Sequence, residues 1–179
     1  VKQPMNLGEV CRNIYEIHKG RVQEGVTLIL DNKEDDLIIE EDRNRIMQVI
    51  TNFITNATKF TYAGEIRFGF KIENHCIHVY VKDTGIGIEA SKVDHIFDRF
   101  VKLNSFAQGT GLGLAICRMI IEKIGGEIGV TSETGKGSTF FFTIPYKENS
   151  DEHITFSDAF ETKYISHTIK RMQKIKKIL

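Results

Sequence analysis

Asp42-Arg43-Asn44-Arg45-Ile46-Met47-Gln48-Val49-Ile50-Thr51-Asn52-Phe53-Ile54-Thr55-Asn56-Ala57-Thr58-Lys59-Phe60-Thr61 is the stretch on which the reading of this chain turns. Asp42 is a favoured N-cap, because its carboxylate can accept from the free N–H groups of a first helical turn. Ile46, Val49, Ile50, Phe53, Ile54 and Ala57 then recur at three- and four-residue intervals, the apolar face of an amphipathic helix. Gln48, Asn52, Asn56 and Lys59 fall at intervals of four, four and three, so they share an opposite stripe. An isolated Asn in a helix is usually exposed or capping. Two in register, followed by Ala57-Thr58-Lys59, put amide oxygens and an ammonium on one line.

Further along, Asp83-Thr84-Gly85-Ile86-Gly87-Ile88 follows a run of alternating apolar residues, and Gly109-Thr110-Gly111-Leu112-Gly113-Leu114 precedes an apolar helix. Around them the pattern predicts a helix from Gly8 to about Gln23 with Ile17 on its apolar stripe. Short strands are expected at 26–30 and 37–40, separated by the charged turn 31–36. Strands at 64–72 and 76–82 turn at Glu73-Asn74-His75, the second pointing Ile77, Val79 and Val81 inward. A short helix is expected over 91–97 and a longer one over 111–124, stopped by Gly125-Gly126. A final hairpin joins 127–132 to 138–145, with Phe140, Phe142 and Ile144 on its core face. Strands and helices segregate instead of alternating, which predicts an α+β two-layer sandwich: a mixed sheet covered on one face by helices.

The three polar segments suit the needs of a nucleoside triphosphate. Mg²⁺ is a hard octahedral cation that takes one or two protein oxygens beside phosphate and water, a role open to the Asn56 amide. Lys59 sits where an ammonium meets phosphate as a point charge. Asp83, at a strand end, only accepts hydrogen bonds. It therefore suits the exocyclic amino group of adenine and repels the carbonyl that guanine places there. Gly85 and Gly87 argue against a bare turn, since they let backbone come close to a flat ring. Gly109, Thr110, Gly111, Leu112 and Gly113 stand before a helix, where backbone N–H groups and the positive helix end attract anions. A dinucleotide fingerprint is excluded, for the preceding strand and following acidic residue are missing.

At these residues the chain resembles the ATP-binding catalytic domain of sensor histidine kinases, within the gyrase, Hsp90, kinase and MutL superfamily, roughly from Met5 to Pro145. The resemblance implies a Bergerat-type ATP-binding fold and Mg-ATP as ligand. It implies metal binding by Asn56 with Asn52 close by and Gln48 assisting. It also implies adenine recognition by Asp83, aided by a water on Thr139 in Gly135-Lys136-Gly137-Ser138-Thr139. Ile96-Phe97-Asp98-Arg99-Phe100 is similar to the phenylalanine box before a mobile lid, here 101–108. Lys102 stands where many relatives carry an Arg that reaches the γ-phosphate. Relatives that hydrolyse ATP, and the serine kinases of the superfamily, carry a glutamate at the position of Asn52, which cannot accept a proton from water.

What the resemblance implies is therefore transfer of the γ-phosphoryl group to a histidine on a separate phosphoacceptor helical hairpin, and indirectly to a response regulator. A nucleotide-sensing module with decayed transfer activity, or a gyrase- or MutL-like ATPase, is the alternative. The expected parent is a homodimeric kinase whose cytoplasmic part includes residues 1–146, the abrupt start at Val1 being that of an excised piece.

Bulk properties agree. The 179 residues suit one domain and an appendage, and 24 basic against 24 acidic residues give no nucleic-acid signature. Cys11, Cys76 and Cys117 form no CxxC pair and read as buried small hydrophobes in a reducing compartment. The six histidines include no metal pattern, and His167 lacks the acidic neighbour and proline of a phosphoacceptor box. No apolar run is long enough to span a bilayer. After Pro145 the composition turns polar. Residues 147–179 are expected to be a linker and a basic amphipathic helix, with Ile165, Ile169, Met172 and Ile175 on its stripe and Lys170, Arg171, Lys174 and Lys177 opposite.

Overall fold

Asp42 caps the long helix as its position predicts. The computed structural model, which describes residues 1–99 and 111–147, has Asp42 Oδ1 accepting from the N–H groups of Asn44 and Arg45 at 3.1 and 3.2 Å. The helix α2 runs Arg43–Phe60 and buries Ile46, Val49, Ile50, Phe53, Ile54 and Ala57. Each large apolar side chain so buried contributes about 1.5–3 kcal/mol before entropy is counted. In chain order the elements before it are β1 (Gln3–Asn6), α1 (Leu7–His18), β2 (Val26–Leu30) and β3 (Ile38–Glu41). After it come β4 (Gly64–Glu73), β5 (Cys76–Asp83), α3 (Ala90–Val93), α4 (Gly113–Lys123), β6 (Ile128–Glu133) and β7 (Gly137–Pro145). The chain divides after Tyr146, and of the second unit only Lys147 lies among the described residues. The expected amphipathic helix of the tail, His153 and His167 thus lie outside them, as do Phe100, Lys102, Gly109, Thr110 and the segment 101–108.

Five strands form one sheet in the order β2-β4-β5-β7-β6. β2 pairs parallel to β4 and the rest are antiparallel, so the sheet is mixed. One face carries Ile66, Phe68, Val79, Val81, Phe140, Phe142 and Ile144 into the core. Phe53 of α2 lies on Phe140 and Phe142 with ring centroids 5.3 and 6.1 Å apart. The α+β architecture with helices on one face is thus present. A separate two-stranded sheet pairs β1 with β3, from Gln3 opposite Glu41 to Asn6 opposite Ile38.

Several elements differ from expectation. β1 was not foreseen, and β3 leaves the main sheet to pair with it. α1 starts at Leu7 under an Asn6 cap and stops at His18, short of Gln23. Its inward residue in the last turn is His18, while Ile17 is exposed. The expected helix 91–97 contracts to the four residues of α3, since Ile96 and Phe97 are drawn into the core by non-helical turns. α4 closes as expected, the Gly125 and Gly126 N–H groups reaching Glu122 O and Ile121 O at 3.0 Å each.

Candidate functional site

Where α2 faces the end of β5, a cavity of about 240 Å³ opens beside the glycine turn. Asn56, Ala57 and Phe60 line it from α2, Asp83 from β5, Ser138 and Phe140 from β7. Ile86, Gly87 and Ile88 of the turn, Glu89 and Lys92 around α3, and Thr134 complete the wall.

Asp83 is the last residue of β5 and is only 5% exposed. Its Oδ1 accepts from the N–H of Gly85 at 2.8 Å. Burial raises its pKa above the ordinary carboxylate value, and the backbone N–H groups of Gly85 and Ser138 and the Thr61 hydroxyl partly offset that shift. Thr61 is itself fully buried; its Oγ1 is close enough to favour the charged carboxylate, yet it makes no hydrogen bond of good geometry. Oδ1 is held from within, and a carboxylate, with about four lone-pair sites, keeps acceptor capacity for a ligand.

The turn after Asp83 is wedged between α2 and the β6–β7 hairpin. Ile86 N–H donates to Phe60 O at 3.1 Å, and Gly135 N–H donates to Ile86 O at 2.8 Å. A Cβ at Gly87, whose φ is +70°, would stand 2.1 Å from Glu133 O. Gly137 has φ +103° and a Cβ there would meet Asp83 O at 2.0 Å. These glycines bring backbone against backbone and so fix the carboxylate; Gly85 likewise lies against Phe60 O.

On the α2 stripe, Asn56 Nδ2 donates to Asn52 Oδ1 at 3.3 Å, which leaves the Asn56 oxygen unengaged by that bond. A Cβ at Gly113 would stand 2.4 Å from Asn52 Nδ2, so the first residue of α4 rests on the same amide. Leu112, preceding α4, provides no side-chain cap for the first N–H groups of the helix. Gly113 is therefore brought up to the polar stripe, with Gly111 and Leu112 just before it in the chain. Lys59 is exposed one turn beyond Asn56 and does not line the cavity. Gln48 is exposed too, and its Oε1 accepts from Arg45 Nη1 at 3.0 Å, away from Asn56.

Thr139 requires correction. In β7 the residue opposite Asp83 is Ser138, and Thr139 pairs with Lys82 on the outer face. Side chains alternate along a strand, so Ser138 points inward with Phe140 and lines the cavity, whereas Thr139 points away. Sequence reasoning also missed Glu89, Lys92 and Thr134, which reach the cavity only through the way the turn and hairpin fold together. Among the described residues, no group of three or more His, Cys, Asp or Glu could hold a metal ion. An amide pair such as Asn52 and Asn56 supplies hard oxygens without added charge, which fits a cation that brings its own phosphate ligands.

Residues 41–148 match the family described as histidine kinase-, DNA gyrase B- and HSP90-like ATPase. The chain is 37% identical over 137 residues to the sensor histidine kinase WalK of Bacillus subtilis (73% of this chain, 22% of the relative). It spans about a fifth of the length of the curated relatives it matches. Among solved structures, the nucleotide-free catalytic domain of histidine kinase ThkA aligns with TM-score 0.71 at 33% identity, covering 81% of this chain and 95% of that one. Full-length ShkA in complex with AMPPNP aligns with TM-score 0.71 at 29% identity, over 81% of this chain and 31% of that one.

Proposed function

Because the chain belongs to the histidine kinase-, DNA gyrase B- and HSP90-like ATPase family, we propose that it binds Mg-ATP and donates the γ-phosphoryl group to a histidine on a separate phosphoacceptor hairpin. The observation that carries this reading is the buried Asp83 carboxylate on the floor of a cavity whose other wall holds Asn56. The complex of ShkA with AMPPNP supports the choice of ligand.

In this reading Asp83 Oδ2 accepts from the adenine amino group, and Phe60, Ile86, Ile88 and Phe140 supply apolar wall around the base. Asn56, with Asn52 beside it, would hold Mg²⁺, which would supply charge neutralisation for the phosphates. The uncapped start of α4 offers N–H groups to the phosphates. Lys59, and Lys102, Gly109 and Thr110 outside the described residues, complete the anionic subsite. Asn52 cannot take a proton from water, so the chain contributes positioning and charge and leaves the nucleophile to the partner. An imidazole nitrogen lone pair then forms the N–P bond, the bond to the β,γ-bridging oxygen breaks, ADP leaves, and the imidazole's other nitrogen sheds its proton.

The same reading makes residues 1–146 the nucleotide module and 147–179 an accessory tail. Its place is the cytoplasmic part of a homodimeric sensor kinase that serves a response regulator. Among the described residues no helix is long and apolar enough to cross a membrane. The test mixes the chain with γ-labelled ATP, Mg²⁺ and a separately expressed phosphoacceptor hairpin. Label should appear on the hairpin in an alkali-stable, acid-labile bond. Tight ATP binding with no transfer to any hairpin histidine would instead establish the chain as a nucleotide sensor.

A further inference from the structure

Behind the cavity wall lies a serine that touches no cavity surface. Ser132 of β6 pairs with Ser138 of β7, and the two Oγ atoms are 2.9 Å apart. Ser132 Oγ also accepts from Ile88 N–H at 2.8 Å and lies 3.0 Å from Gly137 O, within donating distance. Ser138 lines the cavity beside Asp83, and Ser132 does not. A hydroxyl has one proton and two lone pairs. The Ile88 N–H is a fixed donor and occupies one lone pair of Ser132, which leaves two arrangements. In one, Ser132 donates to Gly137 O, Ser138 must donate back to Ser132, and the cavity meets Ser138 only as an acceptor. In the other, Ser132 donates to Ser138 and the Ser138 proton is released toward the cavity.

The ligand chemistry chooses between them. Asp83 is already an acceptor and engages the amino group of adenine in the function proposed above, on which this step rests. Next to that amino group the base presents an acceptor nitrogen, N1, which needs a donor, directly or through one water. Of the Asp83 and Ser138 side chains, only the hydroxyl can donate. We infer that Ser132 is a positioning residue for base recognition: it passes the Ile88 N–H polarity on to Ser138, so that the Ser138 hydroxyl donates toward the cavity. The chain Ile88 N–H to Ser132 O–H to Ser138 O–H runs in one direction, and each bond strengthens the next. The same hydroxyl tethers the glycine turn, through Ile88, to the hairpin that carries Ser138.

The test is a double-mutant cycle on the full chain, read as ADP affinity without metal and as discrimination between ADP and 1-deaza-ADP, which lacks N1. Ser132→Ala and Ser138→Ala should each weaken ADP about three- to tenfold, as for one hydrogen bond. The double variant should be no weaker than the poorer single one, because both remove the same chain. Each variant should lose most of the wild type's preference for ADP over 1-deaza-ADP, and Ser132→Thr, which keeps a hydroxyl, should retain it. A purely structural role for Ser132 would lower both affinities together and leave that preference unchanged. That result overturns the inference, as does an additive double variant or wild-type behaviour in Ser132→Ala. If Ser132→Ala does not fold, Ser132→Cys, of similar volume and poor as a donor, takes its place in the cycle with the same expectations. A wild-type chain that binds no ADP defeats the nucleotide reading itself, and this role with it; normal wild-type binding with an unaffected Ser132→Ala removes this role alone.

Discussion

Asp83→Asn should make the unliganded protein more stable and the nucleotide complex weaker. Asp83 is buried at 5% exposure and its pKa is raised chiefly by desolvation, so folding penalises its charged form. For a carboxyl whose folded pKa lies above its unfolded one, the stability it contributes is full below the unfolded value. That stability is lost as pH rises through the folded value. The amide removes this penalty, and the variant should melt higher than wild type at pH 7 while the difference shrinks toward pH 4. The ligand sees the reverse. Gly85 N–H holds the introduced amide oxygen where Oδ1 was, which presents the amide NH₂ to the cavity, donor against the adenine donor. Loss of a charge-assisted bond together with a donor clash amounts to about 1.5–3 kcal/mol, or about ten- to 150-fold in ADP affinity. Calorimetry with ADP, alongside thermal melts from pH 4 to 8, measures both arms. In wild type the ADP affinity should also fall as pH drops through the raised pKa. A variant that binds ADP normally, or that binds weakly because it is less stable than wild type, defeats this assignment of Asp83.

Asn56→Ala should abolish the Mg²⁺-dependent gain in ATP affinity and spare adenosine binding, which paired titrations with Mg²⁺ and with EDTA separate; an undiminished gain moves the metal to other oxygens. Gly137→Ala puts a Cβ 2.0 Å from Asp83 O at φ +103°, and denaturant melts should show a loss of more than about 1 kcal/mol together with weaker ADP binding. Burial pushes the Cys11 and Cys117 thiols up to about 12, whereas Cys76 is half-buried. A thiol-reactive disulfide reagent at pH 8 should therefore modify Cys76 ahead of the other two, which react only after unfolding.

Much of the fold could be read from periodicity because the deciding helix and the inner strands bury a full apolar face. The Asp42 cap, the six inward residues of α2 and the alternation in β5 and β7 needed no tertiary knowledge. β1 escaped because Gln3-Pro4-Met5-Asn6 has a largely exposed, proline-bearing sequence whose pairing with β3 is wholly non-local. The parallel pairing of β2 with β4 was hidden for the same reason. Ile17 was expected on the apolar stripe, but the helix ends at His18 instead of near Gln23, and in its last turn His18 is buried while Ile17 is exposed. At the site, Asn56, Asp83 and the glycine turn were legible, since each is polar or small where a core pattern breaks. Thr139 was misplaced although the signal was present: Phe140, Phe142 and Ile144 face inward, and the same alternation puts Ser138, not Thr139, beside Asp83. Ser132 carries no signal at all in one sequence, as its value lies in a hydroxyl contact across the β6–β7 hairpin.

A crystal structure of this chain with AMPPNP and Mg²⁺ would put the nucleotide assignment to its plainest test. The adenine amino group should lie within hydrogen-bond distance of Asp83 Oδ2, with the Asn56 side-chain oxygen on the metal and the phosphates at the start of α4. A base bound away from Asp83, or a metal held without Asn56, would overturn that assignment.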